Sequence, residues 1–134
     1  MTVLIDTSLL VGAAATGIAE SFALSVITVG ELRLGVLSAG TPAIRATRLA
    51  RLTAILENTT VLPVDDPVAS EYAELRAATG RLPTNDLWIA ATAAAHKLIL
   101  VTSDERQSKL PGVRTRYVGV ESGMFVSGNP DRCQ

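Results

Sequence analysis

Residues 84–104 read "TNDLWIAATAAAHKLILVTSD". The first thirteen form a helix pattern with one acid, Asp86, at its mouth and no other charge before His96. A helix apolar around most of its circumference belongs inside a domain. The run that follows, "KLILVTSD", is a short apolar strand ending in a second acid, Asp104. A buried helix feeding directly into a buried strand is the signature of a sheet covered on both faces.

The rest of the chain repeats that alternation. "TVLID" is a β-rich run ending in Asp6, followed by a short helix over "TSLLVGAAA". "FALSVI" reads as a second strand, and "TVGELRLGVLSAG" as a helix closed by Gly40. In "TPAIRATRLARLTAILENT", Leu49, Leu52 and Leu56 recur at helical spacing with Arg45, Arg48 and Arg51 between them, which gives an amphipathic helix. "TVLPV" is the next strand. "DDPVASEYAELRAATG" then carries helix start chemistry at Asp65, Asp66 and Pro67 and stop chemistry at Gly80. "VRTRYVGV" closes as a last strand. The expected class is α/β, with a central parallel sheet of four or five strands flanked by helices.

The chain has 134 residues, enough for one domain spanning 1–134 with a real core. A hydrophobic fraction of 48% with 19% charged residues is globular, and no segment reads as a linker. Nowhere do about 18 apolar residues run together, and "MTVLID" lacks a basic segment followed by a long apolar one. A cytoplasmic protein without a membrane segment is the expectation. A single cysteine, Cys133, excludes a disulfide framework and a thiolate zinc cluster. The net charge of −1 does not announce a nucleic-acid binder, although a local patch can be basic when the whole is not.

In open α/β sheets, ligands bind beyond the carboxyl ends of the strands. Asp6 and Asp104 end strands there, and Glu31 and Asp86 stand in the first turns of helices. Singly, each acid has a local explanation. "TVGE" at 28–31 satisfies a capping box between Thr28 and Glu31, Asp6 or Ser8 can cap the first helix, Ser103 or Asp104 the turn after "LILVT", and Asp86 favours the helix dipole. Capping does not require acids to share an edge, however. Four converging carboxylates repel one another unless a cation lies among them. Oxygen donors without histidine or thiolate suit Mg²⁺ or Mn²⁺. Thr7, Ser8, Thr28, Asn85 and Thr102 lie beside the acids, where they either orient them or act as ordinary caps.

"VLIDTSLL", "SVITVGELRLGV" and "LPTNDLWIAATAAAHKLILVTSD", in that order and spacing, resemble PIN-domain ribonucleases, specifically VapC-type toxins of bacterial toxin-antitoxin pairs. The resemblance covers nearly the whole chain. It implies a PIN-like three-layer sandwich and a metal-dependent endoribonuclease whose acidic quartet falls on Asp6, Glu31, Asp86 and Asp104. It further implies Mg²⁺, with Mn²⁺ as the alternative, as cofactor; structured RNA, a tRNA or an rRNA loop, as substrate; a VapB-type antitoxin as partner; and a homodimer. In one respect the chain departs from the pattern. Family members often carry another acid or an aromatic two to four positions after the fourth acid, and here Arg106, Gln107 and Ser108 stand there, with Glu105 as a possible substitute.

Other residues carry weaker expectations. His96, the only histidine, reads as a helix C-terminal partner or a surface residue. Trp88 stacks on a base or, as its apolar helix favours, packs in the core or a dimer. Asp65 and Asp66 read as a helix start. Arg45, Arg48 and Arg51 form a solvated basic strip or contact phosphates, and Arg33, close to Glu31, is the better candidate for RNA at the mouth of the site. Leu32, Leu34 and Val36 form either a groove for an antitoxin helix or core. A receiver domain would need paired acids after the first strand and a late lysine, an aspartyl phosphatase Asp-x-Asp, and a serine hydrolase G-x-S-x-G. The non-enzymatic alternative is a catalytically inert PIN-like module that acts through protein binding.

Overall fold

Val3–Ile5 (β1) lies at the middle of a five-stranded parallel sheet, with β2 (Phe22–Ser25) and β3 (Thr60–Leu62) to one side and β4 (Ile99–Thr102) and β5 (Thr115–Tyr117) to the other, in the order β3-β2-β1-β4-β5. The computed structural model describes residues 2–10 and 21–119. The far part of the expected helix over "TSLLVGAAA", the last residue of "VRTRYVGV" and Cys133 lie outside them. Among the described residues there are four α-helices: α1 (Val26–Leu37), α2 (Pro42–Glu57), α3 (Asp66–Thr79) and α4 (Thr84–Ala95). None is long and apolar enough to cross a membrane.

The pleat sorts the core into two layers. Leu4 and Leu100 face a cluster built with Val68 and Leu75 of α3 and Leu87, Ile89, Ala90, Ala91 and Ala93 of α4. Val3, Ile5, Leu24 and Val101 face the opposite side, where Leu32 of α1 and Ile55 and Leu56 of α2 cover them. The result is the expected three-layer α/β sandwich.

Capping fixes most boundaries. Asp65 accepts from Val68 N at 3.3 Å to start α3, Thr41 accepts from Ile44 N at 3.1 Å to start α2, and Gly80 ends α3 with φ of 76°. At the end of α4, Lys97 takes φ of 56° while Leu98 N donates to Ala93 O at 2.9 Å and Lys97 N to Ala94 O at 3.2 Å. That is a Schellman closure made without glycine.

One boundary differs from the sequence expectation. "FALSVI" is strand only to Ser25, whose side chain accepts from Ile27 N at 3.0 Å and caps α1 directly. Val26 and Ile27, β-branched and strand-like by propensity, become its first turn because a serine in extended conformation precedes them. The capping box expected between Thr28 and Glu31 is therefore absent. Thr28 is a buried residue within α1, and Glu31 stands in its second turn rather than its first.

Candidate active site

The strand order reverses at β1, since the chain builds outward through β2 and β3 and then returns to place β4 on the other side. A crevice opens at such a switch point, beyond the carboxyl ends of the two adjacent strands. β1 and β4 pair in register from Val3↔Ile99 to Ile5↔Val101, which brings Asp6 and the segment Thr102–Asp104 side by side.

Asp6 is 2% exposed. It occupies the cap position of a 3-10 turn over Thr7–Leu9, yet its side chain caps nothing there. Instead Oδ2 accepts from Ser8 Oγ at 2.6 Å and from Thr102 Oγ1 at 3.0 Å, while Oδ1 accepts from Gln107 Nε2 at 3.3 Å. A carboxylate this deep is tolerable only with such donors around it. The donors are themselves fixed, as Ser103 N donates to Ser8 Oγ at 3.2 Å and Asp104 N to Thr102 Oγ1 at 3.0 Å.

Glu31 reaches the same edge from α1. Thr7 Oγ1 donates to its Oε1 at 2.7 Å and lies 3.0 Å from Thr28 Oγ1, and Asn85 Nδ2 donates to Oε2 at 3.3 Å. Asn85 belongs to the first turn of α4, so Glu31 ties the helices on the two faces together across the sheet edge. All five polar residues singled out beside the acids, Thr7, Ser8, Thr28, Asn85 and Thr102, belong to this network.

Asp86, in the first turn of α4, is half-buried. Burial first, and then the charges of Asp6, Asp104 and Glu31, push its carboxyl above the ordinary aspartate range. Asp104 is held below that range, chiefly by hydrogen bonds from the Arg106 side chain. Arg106 Nη2 lies 3.1 Å from Asp104 Oδ2, and Arg106 N donates to Oδ1 at 2.9 Å, so Asp104 also serves the local turn role that its sequence allowed.

The position of Asp86 is set from below by a polar latch. Arg76 Nη1 donates to Gly80 O at 2.6 Å and Leu82 O at 3.0 Å, and Nη2 to Thr84 Oγ1 at 3.2 Å, which fixes the turn between α3 and α4. Its guanidinium sits 5.6 Å from the centre of the Tyr72 ring, and Tyr72 stacks on Trp88 at 3.9 Å with 7° between planes. Trp88 is thus committed to internal packing rather than presented for a base. His96 is exposed at the C-cap of α4, and Glu105 is exposed with its carbonyl accepting from Ser108 Oγ at 2.6 Å.

Beside Glu31 lies a cleft of about 320 Å³ between α1 and α2, lined by Thr7, Leu10, Leu32, Arg48, Arg51 and Ile55 among others. Arg33 is not part of it. Two residues beyond Glu31 it turns about 200° around the helix, and it is exposed on the far side. The cations at the cleft are Arg48, which also donates to Gly35 O at 2.7 Å, and Arg51. Of the three apolar residues expected together, Val36 is buried, Leu32 lines the cleft and Leu34 is exposed.

The donor set suits a hard divalent cation, since the four acids offer only oxygen and their mutual repulsion at Asp86 is what a cation relieves. Among the described residues, no three acid, histidine or cysteine side chains are arranged to grip one ion directly.

Sequence reasoning missed Gln107. It is 1% exposed, touches Asp6, and leaves its Oε1 buried with no hydrogen-bond partner. The available signal was its position, where an acid or an aromatic was expected.

Comparison with known proteins matches residues 3–113 to the PIN domain family model. The chain is 46% identical over 99 residues to Ribonuclease VapC5 of Mycobacterium tuberculosis, covering 71% of this chain and 73% of that protein. It is 41% identical over 120 residues to Ribonuclease VapC4 of the same organism, covering 82% and 92% respectively. Its fold superposes with a TM-score of 0.74 and 39% identity on a crystal structure of a member of the VapBC family of toxin-antitoxin systems, VapBC-5, from Mycobacterium tuberculosis, covering 87% of this chain and 98% of that one.

Proposed function

The chain belongs to the PIN-domain family and, within it, to the VapC-type ribonuclease toxins, and on that premise we propose that it is a divalent-metal-dependent endoribonuclease that hydrolyses phosphodiester bonds of structured RNA and is neutralised by a VapB-type antitoxin. The observation that carries this reading is the meeting of Asp6, Glu31, Asp86 and Asp104 at one sheet edge, where burial first and then the charges of the other three raise the Asp86 carboxyl. Capping explains none of that convergence.

Asp6, Glu31, Asp86 and Asp104 would hold the cation, Mg²⁺ with Mn²⁺ as the alternative. A bound divalent ion supplies Lewis acidity and offsets charge on the phosphodiester. The chain's own residues do the rest. Ser8, Thr102 and Gln107 fix the orientation of Asp6, and Thr7 and Asn85 fix that of Glu31. Arg51 lines the cleft beside Glu31, and in this reading it would contact a backbone phosphate of a tRNA or an rRNA loop.

The exposed Leu34, Leu37, Ile44 and Leu49 of α1 and α2 support an apolar partner surface next to the same cleft, which suits the antitoxin. A homodimer belongs to the same proposal and is read by sedimentation.

The test is cleavage of total RNA by purified, antitoxin-free protein with Mg²⁺, with EDTA, and with Asp86→Asn. Discrete cuts that vanish in both controls are expected, and sequencing their ends identifies the substrate. No cuts with Mg²⁺ or Mn²⁺ would reject the enzyme and leave an inert module acting through protein binding.

A further inference from the structure

Gln107 lies in "SDERQSK", a run whose other residues are all at least partly exposed. A 3-10 turn over Gln107–Lys109 carries it inward until its side chain is 1% exposed. There Nε2 donates to Asp6 Oδ1 at 3.3 Å, and the residue lies near enough to Asp86 and Asp104 to favour their charged forms.

Chemistry fixes the sense of the amide. Turned the other way, its carbonyl would face a buried carboxylate, so the NH₂ group must lie toward Asp6. Oε1 is then a buried acceptor with no partner among the described residues. Buried polar atoms are nearly always satisfied, and an exception marks a functional constraint or an ion or water that belongs there. A thioether or an aliphatic side chain would fill the same volume without leaving an acceptor unpaired.

We propose that Gln107 is a positioning residue of the cation site: its NH₂ group fixes Asp6, and its Oε1 accepts a hydrogen bond from a water in the hydration shell of the cation. The inference rests on the metal-dependent reading above. Waters on a divalent cation turn their hydrogens outward, so an acceptor is the matching partner and an ammonium or guanidinium would be repelled. The amide supplies that acceptor without adding a fifth negative charge to the four already present.

The experiment is calorimetric titration of Mn²⁺ into wild type, Gln107→Met and Gln107→Glu, with melting of each protein in EDTA. Gln107→Met keeps the volume and removes both polar functions. It takes a donor from the buried Asp6 along with the unpaired acceptor, so its melting temperature in EDTA should fall modestly, while its Mn²⁺ affinity falls roughly 10- to 100-fold. Gln107→Glu should melt lower in EDTA, bind Mn²⁺ more tightly than wild type, and gain more melting temperature from the ion. A residue that only packs the turn predicts wild-type Mn²⁺ affinity in Gln107→Met whatever its melting temperature, and that result overturns the proposal. Should Gln107→Met fail to fold, an unchanged Mn²⁺ affinity in Gln107→Glu overturns it equally. Wild type that binds no Mn²⁺ overturns the metal reading as well, whereas binding that is indifferent to residue 107 removes only the role of Gln107.

Discussion

Thr102 donates to Asp6 Oδ2 at 3.0 Å across 96 residues of sequence, and the same hydroxyl oxygen accepts from Asp104 N at 3.0 Å. One hydroxyl, itself fully buried at the end of β4, therefore fixes two acids at once. Thr102→Val keeps the β-branched shape and deletes both bonds. With Ser8 and Gln107 still donating to Asp6, the fold should survive at a cost of about 1–3 kcal/mol, the range for a buried polar group that loses a partner. Urea denaturation measures this. RNA cleavage should fall by roughly 10- to 100-fold, and a variant with full activity would show that Thr102 does not orient the acids.

Ser25, not Thr28, starts α1. Ser25→Ala should cost about 1 kcal/mol through loss of the bond from Ile27 N. Neutral stability in Ser25→Ala would return the cap to the Thr28 position and put Glu31 back in the first turn.

The contrast between those two positions shows what the sequence makes legible. The order of strands and helices follows from periodicity and from caps with strong local preferences, such as Asp65 before Pro67 and Thr41 before Pro42. Asp6, Asp86 and Asp104 were legible as neighbours because strand ends and helix starts share one edge of a parallel sheet, whereas Glu31 reaches that edge from the second turn of α1. What was hidden is tertiary. Val26 and Ile27 are strand-like by propensity, and only the extended Ser25 in front of them turns them into helix. Gln107 sits among charged and polar neighbours, and nothing local says that a 3-10 turn will bury it against Asp6. Arg33 is close to Glu31 in sequence and on the other side of the helix in space, while Arg51, far off in sequence, lines the cleft beside it.

Asp104 and Arg106 form a pair at the surface, where the arginine is 61% and the aspartate 24% exposed. The hydrogen bonds from Arg106 lower the Asp104 carboxyl in the folded state. An acid lowered in this way contributes stability above its unfolded value, near 3.8, and loses it as pH falls through the folded value. Arg106→Ala should therefore lower stability near neutral pH, though only slightly because exposed pairs contribute little. The gap should close as pH falls below about 3.8, where Asp104 is protonated in both proteins. Denaturation midpoints between about pH 2 and pH 7 test this, and a curve that coincides with wild type throughout would mean that Arg106 does not hold Asp104.

Asp86 has the opposite sign. Burial and three neighbouring acids raise its carboxyl above the ordinary value of 3.8, so the folded protein holds its proton more tightly than the unfolded chain does. In EDTA, stability is then lost as pH rises from near 3.8 through the raised folded value, and it is retained below that window. Asn cannot ionise, so Asp86→Asn should equal or exceed wild-type stability at neutral pH in EDTA, with the difference narrowing in acid. Adding Mn²⁺ should reverse the ranking, since the ion stabilises only the chain that binds it. Cleavage by Asp86→Asn should drop by more than roughly 100-fold, beyond what the loss of an outer partner produces. A variant that melts lower than wild type in EDTA at neutral pH would show instead that Asp86 serves chiefly as a first-turn acid on the dipole of α4. In that case Asp6, Glu31 and Asp104 would have to account for the activity without it.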